Sequence, residues 1–435
     1  MRKDGIMKKS LRSLAIICPL SDYGINGYSF ELAEALGLAG LKVDVFTNHS
    51  SIEDFPQAIC HRRFPVLGGE LLKQLKAAAM PRSPEARRAG SPVVAQDSPR
   101  QRSNSYAWVR RTILGIELPL YLKYQGYDAV WTQWPDMGDY GTRFWRICKL
   151  LGMRVFHTAH NVLPHEESQS DRSVCEAVYG RADLLFVHSE SSKRDLLKIF
   201  PGVADKTVLM RHGAQTIYQS TPGARQRIRH ALNIGEDQTA LLFCGGIRPY
   251  KNIDAVIEGL ADSRCRRAVL LVSGKESAYA EASADDPLHR TRSLAAKYGV
   301  LDQVRLLPGF LTRVEMADLF DAGDAVVLPY TSGYGSGMLL LGMAFGKYII
   351  STAIGGSDEY LRSYGRYTLL KGPGHEDVAE GIHEAIHADP RLAATMSEEL
   401  RWPTIGRKVL DDICLIRGLS VPYAPAIPKR GAHCA

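Results

Sequence analysis

Two glycines and two cations follow a short apolar run in the sequence LLFCGGIRPYKNID, residues 241–254. Gly245 and Gly246 would let backbone N–H groups approach a ligand closely. Arg248 and Lys251 come next, directly before a helical pattern, so that full positive charges and a helix N-terminus meet at one place. This combination is typical of a phosphate-binding turn. An ordinary surface turn before a helix fits these residues equally well when they are taken by themselves.

A second glycine-rich turn, residues 332–337, follows the apolar run from Ala325 to Pro329. It contains three glycines and two serines immediately before a helical pattern that starts at Met338. Backbone N–H groups and serine hydroxyls at a helix N-terminus can bind a diphosphate. Because both turns end strands of the same predicted sheet, we expect them to form one pyrophosphate site.

Polar side chains also follow the predicted strand from Arg154 to Thr158, in the sequence AHNVLPHE. The carboxyl end of a parallel strand is where doubly wound folds bind ligands. The competing interpretation of these histidines is a structural role in the core. The candidates after this strand and after the next predicted strands are His160, Asn161, His165, Glu166 and His212.

Predicted strands and helices must position these residues, and they alternate regularly. Short apolar runs and amphipathic helical patterns follow one another in both halves of the chain. Such βα units form parallel sheets through right-handed crossovers. After the first predicted strand, residues 21–27 are expected to form a loop, with Tyr23, Gly24, Asn26 and Gly27 as candidate ligand contacts. This loop does not contain a G-x-G-x-x-G fingerprint, and a tight turn without a ligand remains an open alternative.

The 435 residues are too many for one ordinary core, so two domains are expected. We predict a first domain at 1–215, a second at 216–403, a helix at 404–420 that crosses back to the first domain, and a loose tail at 421–435. An insertion at about 80–105 is rich in Pro, Ser and Arg. It is either a solvated linker or a segment that contacts anionic lipid or a diphosphate-bearing acceptor.

Lysine and arginine exceed aspartate and glutamate by 54 to 47, which favours an anionic partner but does not indicate nucleic acid. No run approaches the ~20 apolar residues that a membrane span requires. The short apolar run near the N-terminus leads straight into a turn, so we interpret it as a strand and not as a signal peptide. The eight cysteines show no paired spacing, which indicates reduced thiols in the cytoplasm and no zinc site.

Taken together, these motifs resemble those of retaining, nucleotide-sugar-dependent glycosyltransferases of the family 4 type. That family has the α/β GT-B fold, in which two Rossmann-like, doubly wound domains face a central cleft. The resemblance is greatest to bacterial enzymes that build exopolysaccharides and related surface glycans. The segments that carry it are 23–27, 158–166, 211–213, 245–252 and 335–347.

The resemblance implies roles for the residues in both halves. Arg248 and Lys251 would bind the donor diphosphate and neutralise the leaving group, and His160 would touch the donor sugar. Residues 24–27 would lie under the acceptor and the donor phosphates. The diphosphate would be held at the helix N-terminus by Ser336, Gly337, Met338 and Leu339.

The sequence departs from the family at two places. The family usually has two glutamates that flank the second turn, and the corresponding positions here are Gly333 and Leu341. In the family the first glutamate contacts the donor sugar and the second holds the nucleotide ribose. Their absence puts the identity of the donor in doubt.

The expected reaction is transfer of a hexose from a nucleoside diphosphate sugar to a glycan or lipid-linked sugar acceptor, with retention of configuration. The nucleotide sugar is a substrate, no cofactor is expected, and no D-x-D motif indicates a metal. The expected location is the cytoplasm, with possible peripheral contact on the inner face of the membrane. The alternatives are a nucleotide-sugar epimerase of the same fold, a non-catalytic sugar-nucleotide-binding partner and, less well supported without a dinucleotide fingerprint, a dehydrogenase.

Overall fold

The computed structural model describes residues 10–18, 23–47, 60–63, 115–134, 141–163, 169–276, 288–309, 311–389 and 394–420. The predicted insertion at about 80–105 and the predicted tail at 421–435 lie outside these residues. None of the helices in the described part of the chain combines the length and apolar character that a bilayer span needs.

The first half forms a seven-stranded sheet in which all paired strands are parallel, in the order β3-β2-β1-β4-β5-β6-β7. Its strands are β1 Ser13–Cys18, β2 Lys42–Thr47, β3 Cys60–Arg63, β4 Ala129–Thr132, β5 Arg154–Thr158, β6 Leu184–Val187 and β7 Thr207–Leu209. The helices are α1 Tyr23–Leu38, α2 at 115–124, α3 Gly141–Leu150, α4 Gln169–Arg181 and α5 Glu190–Ile199.

Every residue of β1 is buried, because both faces of the sheet are covered. Side chains alternate between the two faces of a strand. Leu14 and Ile16 therefore pack in one core cluster, together with α1, whereas Ala15 and Ile17 pack in the cluster on the other face.

The second half forms a six-stranded parallel sheet in the order β10-β9-β8-β11-β12-β13. Its strands are β8 Thr239–Cys244, β9 Ala268–Gly274, β10 Val304–Pro308, β11 Ala325–Leu328, β12 Tyr348–Ser351 and β13 Tyr367–Leu369. Its helices are α6 Ala224–Ala231, α7 Ile253–Leu260, α8 His289–Lys297, α9 Arg313–Ala322, α10 Gly337–Ala344, α11 Ser357–Leu361 and α12 His375–His387.

In both sheets the strand order reverses beside the first strand of the half, which is β1 in one sheet and β8 in the other. A crevice forms at the carboxyl ends of the strands on either side of such a reversal, and ligands bind there. The predicted fold class, two Rossmann-like α/β domains, is confirmed.

The prediction of a loop at residues 21–27 is wrong, because α1 already begins at Tyr23. Glycine is a poor helix former, but here tertiary contacts override its weak propensity. The buried side chain of Asn26 accepts a hydrogen bond of 2.7 Å from the Thr47 hydroxyl on β2. A Cβ at Gly27 would stand 2.9 Å from the Ile217 side chain, so the helix is packed closely at this point.

Helix α6 lies in the polar segment after Gly213, for which the sequence pattern predicts no element. Its Arg229 is only 2% exposed and forms an ion pair of 2.9 Å with Asp324. A buried charge needs such a partner. The ion pair with a residue distant in sequence therefore allows this polar helix to pack against the domain. A local sequence pattern does not reveal such a pair.

The last described helix, α13 Trp402–Arg417, returns to the first half and packs against α1. The approach is close, since a Cβ at Gly406 would stand 2.5 Å from the Ala35 carbonyl oxygen. Its apolar face completes the core cluster around α1 with Ile405, Val409, Leu410 and Ile413.

Candidate functional site

A cavity of about 620 Å³ lies at the carboxyl ends of the second sheet, on the side that faces the first domain. Its wall includes residues that follow β8, β10 and β11 and the last residues of β9, as expected at a reversal of strand order. Gly24, at the start of α1, lines it from the first domain. Gln215 and Tyr218 line it from the segment that joins the two domains. The cavity is therefore built by both halves of the chain.

The first glycine turn contributes Gly245, Gly246 and Lys251 to the cavity wall. Lys251 is only 9% exposed, and its ammonium group donates to the Cys244 carbonyl at 3.4 Å. Gly245 has a φ of 93°, and a Cβ there would stand 3.2 Å from the Lys251 Nζ. The glycine thus leaves room for a lysine cation inside a partly enclosed site, where charge interacts more strongly than in open water.

The second glycine turn ends at the N-terminus of α10, and Gly335, Ser336, Gly337 and Met338 line the same cavity. The Ser336 hydroxyl caps the helix by accepting from the Leu339 N–H at 3.3 Å. The first N–H groups of a helix have no partner within the helix and carry partial positive charge. The two glycine-rich turns meet as the sequence predicts, although the Leu339 side chain is buried in the core and does not line the cavity.

Arg248, unlike Lys251, lies outside the cavity wall. It precedes the 3₁₀ turn Pro249–Lys251 in extended conformation, is exposed, and is not among the residues that line the cavity. The sequence predicts two cations in the phosphate site, and the structure brings one of them to it.

His160 lies in a cluster of histidines around the Tyr28 ring, outside the residues that line the cavity. Its Nδ1 is 3.2 Å from the His188 Nε2, and its Nε2 is 3.1 Å from the Gln133 Oε1. His188 Nδ1 lies 3.0 Å from the Met210 carbonyl and must donate to it. His188 Nε2 then accepts, so a neutral His160 has one ring proton for two acceptors, His188 Nε2 and Gln133 Oε1, and can donate to only one of them.

Burial lowers the pKa of each histidine in this cluster. It brings the pKa of His188 to about 4 and, with the nearby His188, that of His212 to about 3. The pKa of His160 falls well below its ordinary value, first through burial and then through the neighbouring histidines. The cluster is therefore neutral at physiological pH and offers hydrogen bonds without charge.

The other candidates have structural contacts. The Asn161 carbonyl accepts from the Tyr179 hydroxyl at 3.2 Å, and His212 Nδ1 lies 2.7 Å from the Gly213 carbonyl. Asn26 and Gly27 are buried in the packing of α1 and do not line the cavity. His165, Glu166 and the Tyr23 side chain lie outside the described residues.

Sequence reasoning missed several residues in the cavity wall, and two groups among them stand out. The first group is Gln215 and Tyr218 on the joining segment. The second is at and before the start of α9 and consists of Leu311, Thr312, Arg313 and Met316. The position of the second group just after β10 was the available signal, because every strand end at this edge can contribute to the site. The first group has no local signal.

The two positions of the missing glutamates have different surroundings. Gly333 lies in the second turn with a φ of 138°, which favours glycine. Leu341 is fully buried and packs in the core beneath α10. The residue at 341 therefore contributes to the core of the second domain.

The domains also touch through Glu359 and Tyr360 of α11. Arg211 forms an ion pair of 2.6 Å with Glu359, whose carboxylate also accepts from two backbone N–H groups at the start of α5, each at 2.9 Å. The Tyr360 hydroxyl donates to the His188 carbonyl at 2.6 Å. These contacts link the histidine cluster to the second domain.

Comparisons with known proteins show similarity in sequence and in fold. Residues 224–401 match the model of the family described as "Glycosyl transferases group 1". The chain is 25% identical to the D-inositol 3-phosphate glycosyltransferase of Mycolicibacterium smegmatis, over 86% of this chain and 81% of that protein. Among solved structures, a glycosyltransferase from Rickettsia africae aligns with a TM-score of 0.63 and 15% identity, over 93% of this chain and 98% of that one.

HepE from Anabaena, solved in complex with UDP and glucose, aligns with a TM-score of 0.64 and 15% identity, over 93% of this chain and all (100%) of that one. The fold is therefore that of GT-B glycosyltransferases, and residues 224–401 carry the pattern of the glycosyl transferases group 1 family.

Proposed function

We propose that the protein transfers a hexose from a nucleoside diphosphate sugar to a hydroxyl group of an acceptor. The observation that carries the proposal is the meeting of Lys251 with the N-terminus of α10 in a cavity that both domains line. A diphosphate is the ligand that this combination suits best. HepE, which shares the fold, is solved with UDP and glucose, in keeping with a nucleotide-sugar donor.

In this proposal the barrier falls mainly because Lys251 and the helix N–H groups stabilise the charge on the departing diphosphate. The bond between the anomeric carbon and the phosphate oxygen breaks, and the acceptor oxygen bonds to the same carbon. None of the described residues that line the cavity is a carboxylate. We therefore assign the acceptor's proton to an oxygen of the departing diphosphate, which requires attack from the same face and gives retention.

The acceptor we propose is a glycan or a lipid-linked sugar, in surface or exopolysaccharide biosynthesis. The curated relatives are named for D-inositol 3-phosphate, a small phosphorylated polyol, so an acceptor screen should contain both classes. Peripheral membrane contact through the arginine-rich insertion is part of the proposal. Sedimentation with anionic vesicles should weaken as salt rises, because surface charge is screened.

The test is a thermal-shift screen of the full chain against nucleoside diphosphate sugars, followed by product analysis with and without acceptor. We expect at least one nucleotide sugar to raise the melting temperature and to lose its hexose only when an acceptor is present. Failure of every nucleotide sugar to bind would contradict the proposal. Binding without turnover would indicate a non-catalytic partner, and an altered sugar without acceptor would indicate an epimerase.

We further propose that turnover needs no metal, because Lys251 and the N-terminus of α10 supply positive charge where the diphosphate departs. Turnover in EDTA should then equal turnover in buffer. Complete loss of activity in EDTA, with recovery on addition of manganese, would show that this proposal is wrong.

A further inference from the structure

The segment that carries the chain from the first domain to the second forms part of the cavity wall, and it is anchored on both sides of Gln215. The Ala214 N–H donates to the Leu400 carbonyl at 3.0 Å. The Thr216 N–H and hydroxyl donate to the Glu31 carboxylate of α1 at 2.5 and 2.9 Å. Because its two neighbours are fixed, Gln215 has a defined position relative to the cavity.

The amide of Gln215 is buried against the N-terminus of α10. The residue is 4% exposed and lines the cavity with Gly24 and Gly337. Its Nε2 lies 3.0 Å from the point where a Cβ on Gly337 would stand. Its Oε1 is buried and has no hydrogen-bond partner among the described residues. An unpaired buried amide oxygen is unfavourable and calls for an explanation, which a ligand in the cavity would supply.

The unpaired atom defines the kind of ligand group that fits. An amide oxygen only accepts hydrogen bonds, and the oxygens of an ionised diphosphate also only accept, so the two cannot pair. A sugar hydroxyl can donate to it. The amide NH₂ can instead donate to a phosphate oxygen, and it lies beside the helix N-terminus that suits the diphosphate.

We infer that Gln215 binds the donor, with its Oε1 accepting from a hydroxyl of the transferred hexose and its NH₂ facing the diphosphate. The inference rests on the proposed function. The hexose is favoured over the ribose because Gln215 belongs to the segment tied to α1 of the first domain. The sugar must face that domain to meet an acceptor bound there. Gln215 is thus a specificity-determining residue for the sugar part of the donor.

The test compares a nucleotide sugar with its nucleoside diphosphate by titration calorimetry on the full chain. The probes are UDP-glucose with UDP, and GDP-mannose with GDP. For the pair that wild type binds, Gln215→Ala should lower the affinity for the nucleotide sugar about tenfold. It should lower the affinity for the nucleoside diphosphate less than about twofold. Equal losses for both ligands, or no loss for either, would overturn the inference while leaving the proposed function standing.

Two further variants separate ligand contact from folding. Gln215→Glu keeps an acceptor oxygen but places negative charge beside the diphosphate, so both ligands should bind more weakly; unchanged UDP or GDP affinity would overturn the placement of the amide. Gln125→Ala is the matched control, since Gln125 is exposed in the turn before β4, at the opposite end of the strand from the cavity. The Gln125→Ala variant should bind the nucleotide sugar and the nucleoside diphosphate with the affinities of wild type. If the thermal-shift screen selects another nucleotide sugar, that donor and its nucleoside diphosphate replace these probes. If no nucleotide sugar binds wild type, the proposed function fails and this inference fails with it.

Discussion

The Arg211 guanidinium lies 2.6 Å from the Glu359 carboxylate, and this ion pair joins the first domain to the second. The side chains are 20% and 9% exposed, so both charges are largely withdrawn from water. Removal of one partner from such a pair leaves the other charge poorly solvated. The pair should therefore matter more than an ordinary surface ion pair.

Replacement of this arginine should destabilise the protein. We expect Arg211→Ala to lower the free energy of unfolding by about 1–3 kcal/mol, measured by urea denaturation. The matched control is Arg362→Ala, whose exposed guanidinium pairs with Asp358 on the same helix as Glu359. Arg362→Ala should lower the free energy of unfolding by less than about 1 kcal/mol. Equal effects of the two substitutions would contradict the importance of the domain contact.

The two cations of the first glycine turn should differ in their effect on turnover. Lys251→Met keeps most of the buried aliphatic chain but removes the charge, and we expect turnover to fall by a factor of about 10²–10³. Arg248→Ala should lower turnover by less than about tenfold, because Arg248 is exposed and does not line the cavity. Steady-state kinetics measure both. A near-normal rate for Lys251→Met would remove the argument for the phosphate site.

The backbone contact between the first glycine turn and the end of β9 should be sensitive to a single methyl group. A Cβ at Gly274 would stand only 2.0 Å from the Gly245 carbonyl oxygen. Gly274→Ala should therefore displace the turn and abolish binding of nucleoside diphosphates. Gly299→Ala is the control, since Gly299 also has a positive φ, 68°, but has open space around it. It should cost only about 1 kcal/mol of stability and leave binding intact.

The carboxyl group that anchors the joining segment should make stability depend on pH. Burial raises the pKa of Glu31 to about 7, against hydrogen bonds from Thr216 and Ile217 that act to lower it. A carboxyl whose folded pKa is raised contributes stability below its ordinary pKa, and that stability is lost as pH rises towards the folded value. Wild type should therefore lose stability relative to Glu31→Gln between pH 5 and pH 8.

The expected change in the difference between wild type and Glu31→Gln is about 3 kcal/mol in the free energy of unfolding. Urea denaturation at the two pH values measures it. Glu34→Gln, a partly exposed position on the same helix, serves as the control for helix propensity. A constant difference at both pH values would show that Glu31 is not titrating in this range.

The local patterns of the chain were sufficient for most strands and for the convergence of the two glycine turns. A buried strand such as β8 and a capped helix such as α5, with Ser189 accepting from the Ser192 N–H, depend on nearby residues alone. The start of α1 could not be predicted because it depends on Thr47 and Ile217, which are distant in sequence.

The composition of the cavity wall was harder to predict than its location. Lys251 and Arg248 look alike in sequence, and only the 3₁₀ turn between them decides which one is buried. Gln215 has no local signal, because its role follows from the crossing of the chain between domains. Pairing and crossing are tertiary properties, which a pattern of neighbouring residues does not contain.

The chain passes between the domains twice, near Gly213 and again near Trp402, where α13 begins its return. The two passages lie side by side, since the Trp402 ring stands against Gly213, where a Cβ would be 2.4 Å from it, and Ala214 bonds to Leu400. Because the two chain passages are adjacent, they restrict twisting and sliding of one domain relative to the other. A hinge rotation between the domains would therefore be centred on the contact between Gly213 and Trp402. This contact is only two residues along the chain from Gln215.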